Sequence, residues 1–296
     1  MLRARLADGG LAALSLRAPA KVNLFLEIVA KRADGFHAVE TLMLAVSLAD
    51  SLEFAPADEA IDLTCSDPGL SVGPDNLVMR AADRLRQHAG CQLGARIRLT
   101  KRIPTQAGLG GGSSDAATTL VGLNRLWKLN LGADDLMTLA ASLGSDVAFF
   151  LRPPAAWCTG RGEVIEPRPV GRRLHLVLVK PPFGLATVEV YRGVRVPEAP
   201  EDGAAIQAAL AAGNVEELGR RLHNRLQAPA ETLRPELAGL RARLAAAKPA
   251  GCLLSGRGSA MLALARDARD ARRIAAEISA SGLADGTRTW IVRSWI

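Results

Sequence analysis

From residue 17 the chain reads RAPAKVNLFLEIV, with Val22, Leu24, Leu26 and Ile28 alternating against Lys21, Asn23, Phe25 and Glu27. Apolar residues at every second position predict a half-buried strand, and they put Lys21 and Asn23 on one side of it. The Asp-Gly pair in KRADGFH, before the strand-like run 39–46, predicts a hairpin. Residues 55–75 read as a strand between loops and 76–89 as a helix. Ala95, Ile97 and Leu99 then alternate with Arg96, Arg98 and Thr100 in a strand expected to end at Pro104. Ala116, Leu120, Leu123 and Trp127 follow at the spacing of one helical face. A helix over 134–143 is broken by Gly144, and SDVAFFL (145–151) is an apolar run with one carboxylate near its entrance.

The stretch 152–171 is rich in Pro and Gly and reads as a transition between domains spanning 1–165 and 166–296. Its second half predicts a buried strand (174–179), helices within 202–247 and a glycine-rich turn (251–260) between strand-like runs. A helix near 267–281 and a final strand over 290–295 complete it. No internal repeat is present. Strands and helices do not alternate strictly, so the fold class is α+β.

With 296 residues, 49% hydrophobic and 23% charged, the chain is globular and long enough for one large or two modest domains. Its charge of +7 is spread as arginines over predicted helix faces, at 84 and 86, 220 and 221, 241 and 243. Aromatic residues are 4%, too few to interleave a basic base-reading surface, so no nucleic-acid partner is expected. The positive balance suits a phosphorylated substrate. Cys65, Cys91, Cys158 and Cys252 stand far apart without a CxxC pair, which argues against a zinc site or disulfide framework and for a reducing cytoplasm. After Arg3 and Arg5, Asp8 and two glycines interrupt the sequence, so no signal peptide is expected; no apolar run approaches the roughly 20 residues of a membrane span.

The segment after the strand at 95–100 carries the most chemistry. Gly108, Gly110, Gly111 and Gly112 precede Ser113, Ser114 and Asp115 at a predicted helix start. Glycines let backbone N–H groups approach anionic oxygens, and the free N–H groups of a helix start face the same way. The serines are candidates to cap the helix or reach Mg²⁺. A tight strand-to-helix turn is the alternative, but three consecutive glycines sacrifice backbone entropy that a turn does not require. No Lys follows the glycines as in a P-loop, and counting from Gly108 the third glycine of a dinucleotide fingerprint falls on Ser113.

The string PTQAGLGGGSSDAA (104–117), with PAKVNLFLEI before it and GCLLSGRGSAMLAL after it, resembles the three ordered motifs of the GHMP small-molecule kinases. RADGFH and LGSDVAFFL add similarity to the branch that phosphorylates a cytidylyl alcohol. The resemblance implies a two-domain α+β GHMP kinase fold with the active site in the inter-domain cleft. It implies ATP and Mg²⁺ as cofactors, a small-molecule cytidylyl alcohol as substrate, and a monomer or weak homodimer. Nucleotide binding falls to Pro104, Thr105, Gln106, Ala107, Gly108, Leu109, Gly110, Gly111, Gly112, Ser113 and Ser114, with Asn76 beside it or acting only as a helix cap. Asp146 matches the family's catalytic Asp and Lys21 its partner; taken alone, each reads as an ordinary turn or strand residue. Asn23, Phe36, His37, Thr187 and Tyr191 match substrate contacts, although Phe36 stands where Tyr is usual. Arg257 stands where a small polar residue is more common. No protein metal-ligand set is implied. A homoserine- or mevalonate-type kinase, or a silent nucleotide-binding regulator on the same fold, are the competing readings.

Overall fold

The computed structural model describes residues 14–152 and 154–295. Arg3, Arg5 and Asp8, which bear on the signal-peptide expectation, lie outside the described residues. The chain folds into two compact units, one of residues 14–20, 49–103 and 110–151, the other of 21–48, 104–109 and the chain from 152 onward. Strands β1 (Leu14–Lys31) and β2 (His37–Ala57) supply residues to both.

In the first unit, β3 (Ile61–Cys65) runs parallel to β4 (Gly94–Thr100). β4 pairs antiparallel with residues 51–57 of β2, placing Leu52 opposite Leu99 and Phe54 opposite Ile97. Helices α1 (Leu77–Ala89), α2 (Gly111–Leu126) and α3 (Ala133–Leu143) complete the unit. α1 starts where the Val78 N–H donates to the Asn76 side chain at 2.9 Å, and it stops at Gly90 in the left-handed region, φ 60°. The predicted face of α2 is buried at Ala116, Leu120 and Leu123, and the Trp127 indole donates to the Gly94 carbonyl at 3.0 Å. Gly122 lies so close to Phe54 that a Cβ would sit 2.5 Å from its ring. Only a glycine permits that approach.

In the second unit, residues 41–44 of β2 pair antiparallel with β5 (Ala155–Thr159), which pairs in turn with β6 (Val164–Pro167). After β7 (His175–Lys180) come α4 (Thr187–Arg192), α5 (Ala204–Ala212), α6 (Val215–Arg220) and the two-residue β8 (His223–Asn224), which pairs parallel with Phe25 and Leu26 of β1. α7 (Gln227–Leu233), α8 (Glu236–Ala246), β9 (Gly251–Leu254), β10 (Met261–Ala265), α9 (Ala268–Ala280) and β11 (Arg288–Arg293) finish it. An antiparallel sheet of order β11-β7-β10-β9 carries a core of Val177, Val179, Met261 and Ala263 against Leu237, Leu244, Ile274 and Ile278.

Several expectations are corrected. β1 is not half-buried, because both faces are covered from Ala18 to Ile28, so Lys21, Asn23 and Glu27 are buried polar groups. The Pro- and Gly-rich stretch after 152 contains the β5–β6 hairpin, whose strands of five and four residues are too short for a period to register. α4 is a six-residue helix too short for a period to register, and the region 202–247 is four short helices interrupted by β8. β4 stops at Thr100, and only Ala148–Leu151 of the 145–151 run is helical, as a 3-10 turn.

Candidate active site

The glycine segment divides between the two units at residue 110. In the first unit, Gly110, with φ 70°, is the N-cap of α2 and makes no side-chain cap. Gly111, Gly112 and Ser113 form the first turn, and the first intrahelical bond is Ser114 N–H to the Gly110 carbonyl at 2.9 Å. The amides of 111–113 precede that bond and have no intrahelical acceptor. The serines therefore do not cap the helix as expected; they lie within its first turn. Ser114 is fully buried, and its Oγ has no partner among the described residues.

Gly111 is enclosed by side chains of its own unit. A side chain there would meet Ile103 Cγ2 at 3.0 Å and Lys101 Nζ at 3.3 Å, so it would press into the unit's own interior. Beneath it, Lys101 donates to Asp50 at 2.5 Å and to Asp115 at 2.7 Å. Asp50 also accepts the N–H groups of Arg102 and Ile103 at 2.5 and 2.8 Å. Asp115 Oδ1 has no partner among the described residues. Burial, with the Asp50 carboxylate nearby, pushes Asp115 up to about 7 against the pull of Lys101. Burial alone would lower the Lys101 ammonium, but the two carboxylates outweigh it and raise it.

In the second unit, Gly108 has φ 74°, and a Cβ on it would fall 2.1 Å from the Ser255 carbonyl oxygen. The turn after β9 is stitched to this segment: Ser255 Oγ donates to the Gly108 carbonyl at 3.2 Å, and Ala260 N–H to the Ala107 carbonyl at 3.1 Å. Ala107 and Leu109 are buried anchors, whereas Thr105 and Gln106 are exposed. The Lys21 N–H donates to the Leu109 carbonyl at 2.9 Å. Lys21 Nζ donates to Asn23 Oδ1 at 2.7 Å, Asn23 Nδ2 to Thr41 Oγ1 at 2.7 Å, and Thr41 Oγ1 to the Phe25 carbonyl at 2.6 Å. The shared side of Lys21 and Asn23 was legible from alternation. Thr41 was not, because it comes from the neighbouring strand.

His37 and Tyr191 meet with ring centroids 5.4 Å apart, tilted by 35°. Phe36 does not join them; it is 56% exposed, with the Arg161 guanidinium 5.3 Å from its ring centroid. Thr187 opens α4 at an exposed position. Asp146, Asn76 and residues 110–114 belong to the first unit, where Asp146 is partly buried just before the 3-10 turn. Asn76 is engaged as the cap of α1, and its amide also donates to the Ser71 carbonyl at 2.6 Å.

Residues 76–152 match the family model of the GHMP kinases N terminal domain, and 206–283 that of the GHMP kinases C terminal domain. The 4-diphosphocytidyl-2-C-methyl-D-erythritol kinase of Pelotomaculum thermopropionicum is 43% identical over 262 residues, 88% of this chain and 91% of the relative. That of Symbiobacterium thermophilum is 38% identical over 287 residues, 96% of this chain and all of the relative. Among solved structures, a 4-(cytidine 5'-diphospho)-2C-methyl-D-erythritol kinase superposes with TM-score 0.79 at 39% identity, covering 95% of this chain and 99% of the other. A homoserine kinase from Cytophaga hutchinsonii, at 20% identity and TM-score 0.76 over 99% of this chain and 98% of its own, shares the fold. With both domain models matched and relatives of one name aligned along most of its length, the chain belongs to the GHMP kinases, in the family of the 4-diphosphocytidyl-2-C-methyl-D-erythritol kinases.

Proposed function

We infer that the chain transfers the terminal phosphoryl group of ATP to the 2-hydroxyl of 4-diphosphocytidyl-2-C-methyl-D-erythritol. The observation that carries the reading is the start of α2, where a left-handed Gly110 leads into three amides ahead of the first intrahelical bond. Such a helix start binds phosphate oxygens without any side chain. Residues Pro104–Ser114 receive the nucleotide's phosphates, with Asn76 on the nucleotide side.

Phosphoryl transfer depends mainly on positioning and charge stabilisation. The alcohol oxygen bonds to the terminal phosphorus as the bond to the bridging oxygen of ADP breaks, and the hydroxyl proton passes to Asp146. Lys21 offsets the negative charge that develops on the transferring group. Asn23 orients Lys21 through their 2.7 Å hydrogen bond. An amide has two donors and two lone pairs, so its remaining capacity can serve the substrate. Phe36, His37, Thr187 and Tyr191 receive the cytidine end.

Among the described residues no group of three or more His, Cys, Asp and Glu side chains forms a metal cage. We assign Mg²⁺ mainly to nucleotide oxygens and water. The buried Ser114 Oγ, without a partner among the described residues, is the protein atom that would hold it. When bound, the ion would neutralise charge on the phosphate oxygens.

No helix of the described residues is long and apolar enough to cross a membrane. We place the reaction in the cytoplasm, in a monomer or weak homodimer with no nucleic-acid partner. We place the division between the domains at 165/166, with the two family matches on either side of it.

A coupled ADP-release assay tests the function against a panel of the cytidylyl alcohol, homoserine and mevalonate. Turnover is expected with the cytidylyl alcohol, and Asp146→Asn and Lys21→Ala should each lose most of kcat while still binding ATP. Equal or faster turnover of another alcohol would reject the substrate. Near-normal kcat in either variant would remove that residue from the chemistry.

A further inference from the structure

The turn Ser255–Ser259 holds Arg257, a partly buried guanidinium whose Nε has no hydrogen-bond partner among the described residues. Its backbone is fixed from several directions. Asn224 Nδ2 donates to the Leu254 and Gly256 carbonyls at 2.7 Å each, and the Gly258 N–H donates to the Ser255 carbonyl at 2.9 Å. Together with the bonds to Ala107 and Gly108, these hold the turn against the 104–109 segment. Gly256 and Gly258 take φ of 54° and 82°, so residue 257 is presented between two left-handed positions. The place of Gly256 is tight. A Cβ there would lie 3.2 Å from each of Lys21 Nζ, Asn23 Oδ1 and the Gly108 carbonyl oxygen. The turn therefore abuts both the phosphate segment and the proposed catalytic lysine.

Arg257 Nε is buried and has no hydrogen-bond partner among the described residues. Three other arginines of this unit have carboxylate acceptors: Arg225 grips Glu27, Arg241 grips Glu231 and Arg273 grips Asp270. Leaving a buried donor unmatched opposes folding, and more so when the group is charged. Such a group persists where something other than the fold requires it. A guanidinium takes a phosphate through two parallel N–H donors, which makes an anionic phosphate the partner that fits best.

We propose that Arg257 is a phosphate-binding residue of this kinase, receiving a phosphate oxygen of the ligand seated against the 104–109 segment. The inference rests on the proposed function, in which both substrates carry phosphates. The source is either the ATP phosphates or the diphosphate of the cytidylyl alcohol. Affinities of ADP and of CDP separate the two, measured by calorimetry on the full chain as wild type, Arg257→Ser and Arg257→Lys.

The proposal expects Arg257→Ser to weaken one of these ligands at least tenfold, and Arg257→Lys to recover part of the loss. Loss of ADP assigns the arginine to the nucleotide, and loss of CDP to the alcohol. A merely structural role predicts a different result, so melting without ligand is measured too. The Tm of Arg257→Ser should be unchanged or higher, because an unmatched buried donor has been removed. Both affinities within twofold of wild type, or a lowered Tm with unchanged affinities, would overturn the proposal. The failure of the parent reading looks different: wild-type turnover of another alcohol rejects the substrate, while the Arg257 series still reads ADP binding.

Discussion

Two carboxylates share one ammonium under the first turn of α2, and their surroundings separate them. Asp50 takes two backbone N–H groups besides Lys101, whereas Asp115 takes Lys101 alone. The proton that relieves the pair therefore belongs on Asp115, raised from 3.8 to about 7. The folded state holds that proton over a pH range in which the unfolded chain has lost it. Its contribution to stability is complete below 3.8 and disappears as pH rises through about 7. Asp115→Asn keeps an acceptor for Lys101 without the second charge, so it should gain stability relative to wild type as pH rises across that window. Urea midpoints of the two proteins at a series of pH values check this, and parallel curves would refute it. The sequence marked Asp115 only as part of a helix start, and Asp50 not at all. Asp50 is 51 residues from Lys101, and no pattern along a chain records which carboxylate a strand will bring to a lysine.

At the scale of elements, long periodic segments were legible: α1, the face of α2, α3 and α9 lie where their patterns place them, because burial of one face imposes the period. Short elements were not, since five residues of β5 or six of α4 contain too few repeats. Glycines separate similarly into positions of turn geometry and positions of close approach. Gly35, with φ 83°, has open space where a Cβ would go, while Gly108, with φ 74°, faces the Ser255 carbonyl oxygen at 2.1 Å. Gly35→Ala should therefore lower stability by about 1 kcal/mol, the strain of a left-handed alanine, and leave ADP affinity unchanged. Gly108→Ala must also displace the stitched turn, and its ADP affinity should fall at least tenfold. Denaturation and ADP titration of both variants decide the matter; equal ADP affinities would remove the loop from nucleotide binding.

At the scale of the whole molecule, one buried carboxylate ties together parts of the chain almost two hundred residues apart. Glu27 accepts the N–H groups of Ile28 and Glu201 at 2.7 and 3.1 Å, the Arg225 guanidinium at 2.7 and 2.6 Å, and lies 3.1 Å from His223 Nε2. Burial alone would raise its pKa, but Arg225 and the two amides outweigh it and lower the value from 4.5 to about 2. This contribution is present above 4.5 and lost as pH falls through about 2. The shift corresponds to at most about 3 kcal/mol. Glu27→Gln should be less stable than wild type at neutral pH, and the gap should close as acid is added. A gap that persists down to the lowest folded pH would show that the ionised carboxylate is not the source.

Local order in the chain was sufficient to determine the α+β class, the helix entered through glycines, and the common side of Lys21 and Asn23. Each follows from a periodicity or a spacing of a few residues, and the order of the motifs was enough to place the chain among its relatives. Only tertiary structure decided that β1 is covered on both faces, that Gly111 faces inward toward Lys101, and that Glu27 answers to Arg225. Burial and partnership depend on what other segments arrive beside a residue, and chain closure over a hundred positions leaves no local trace.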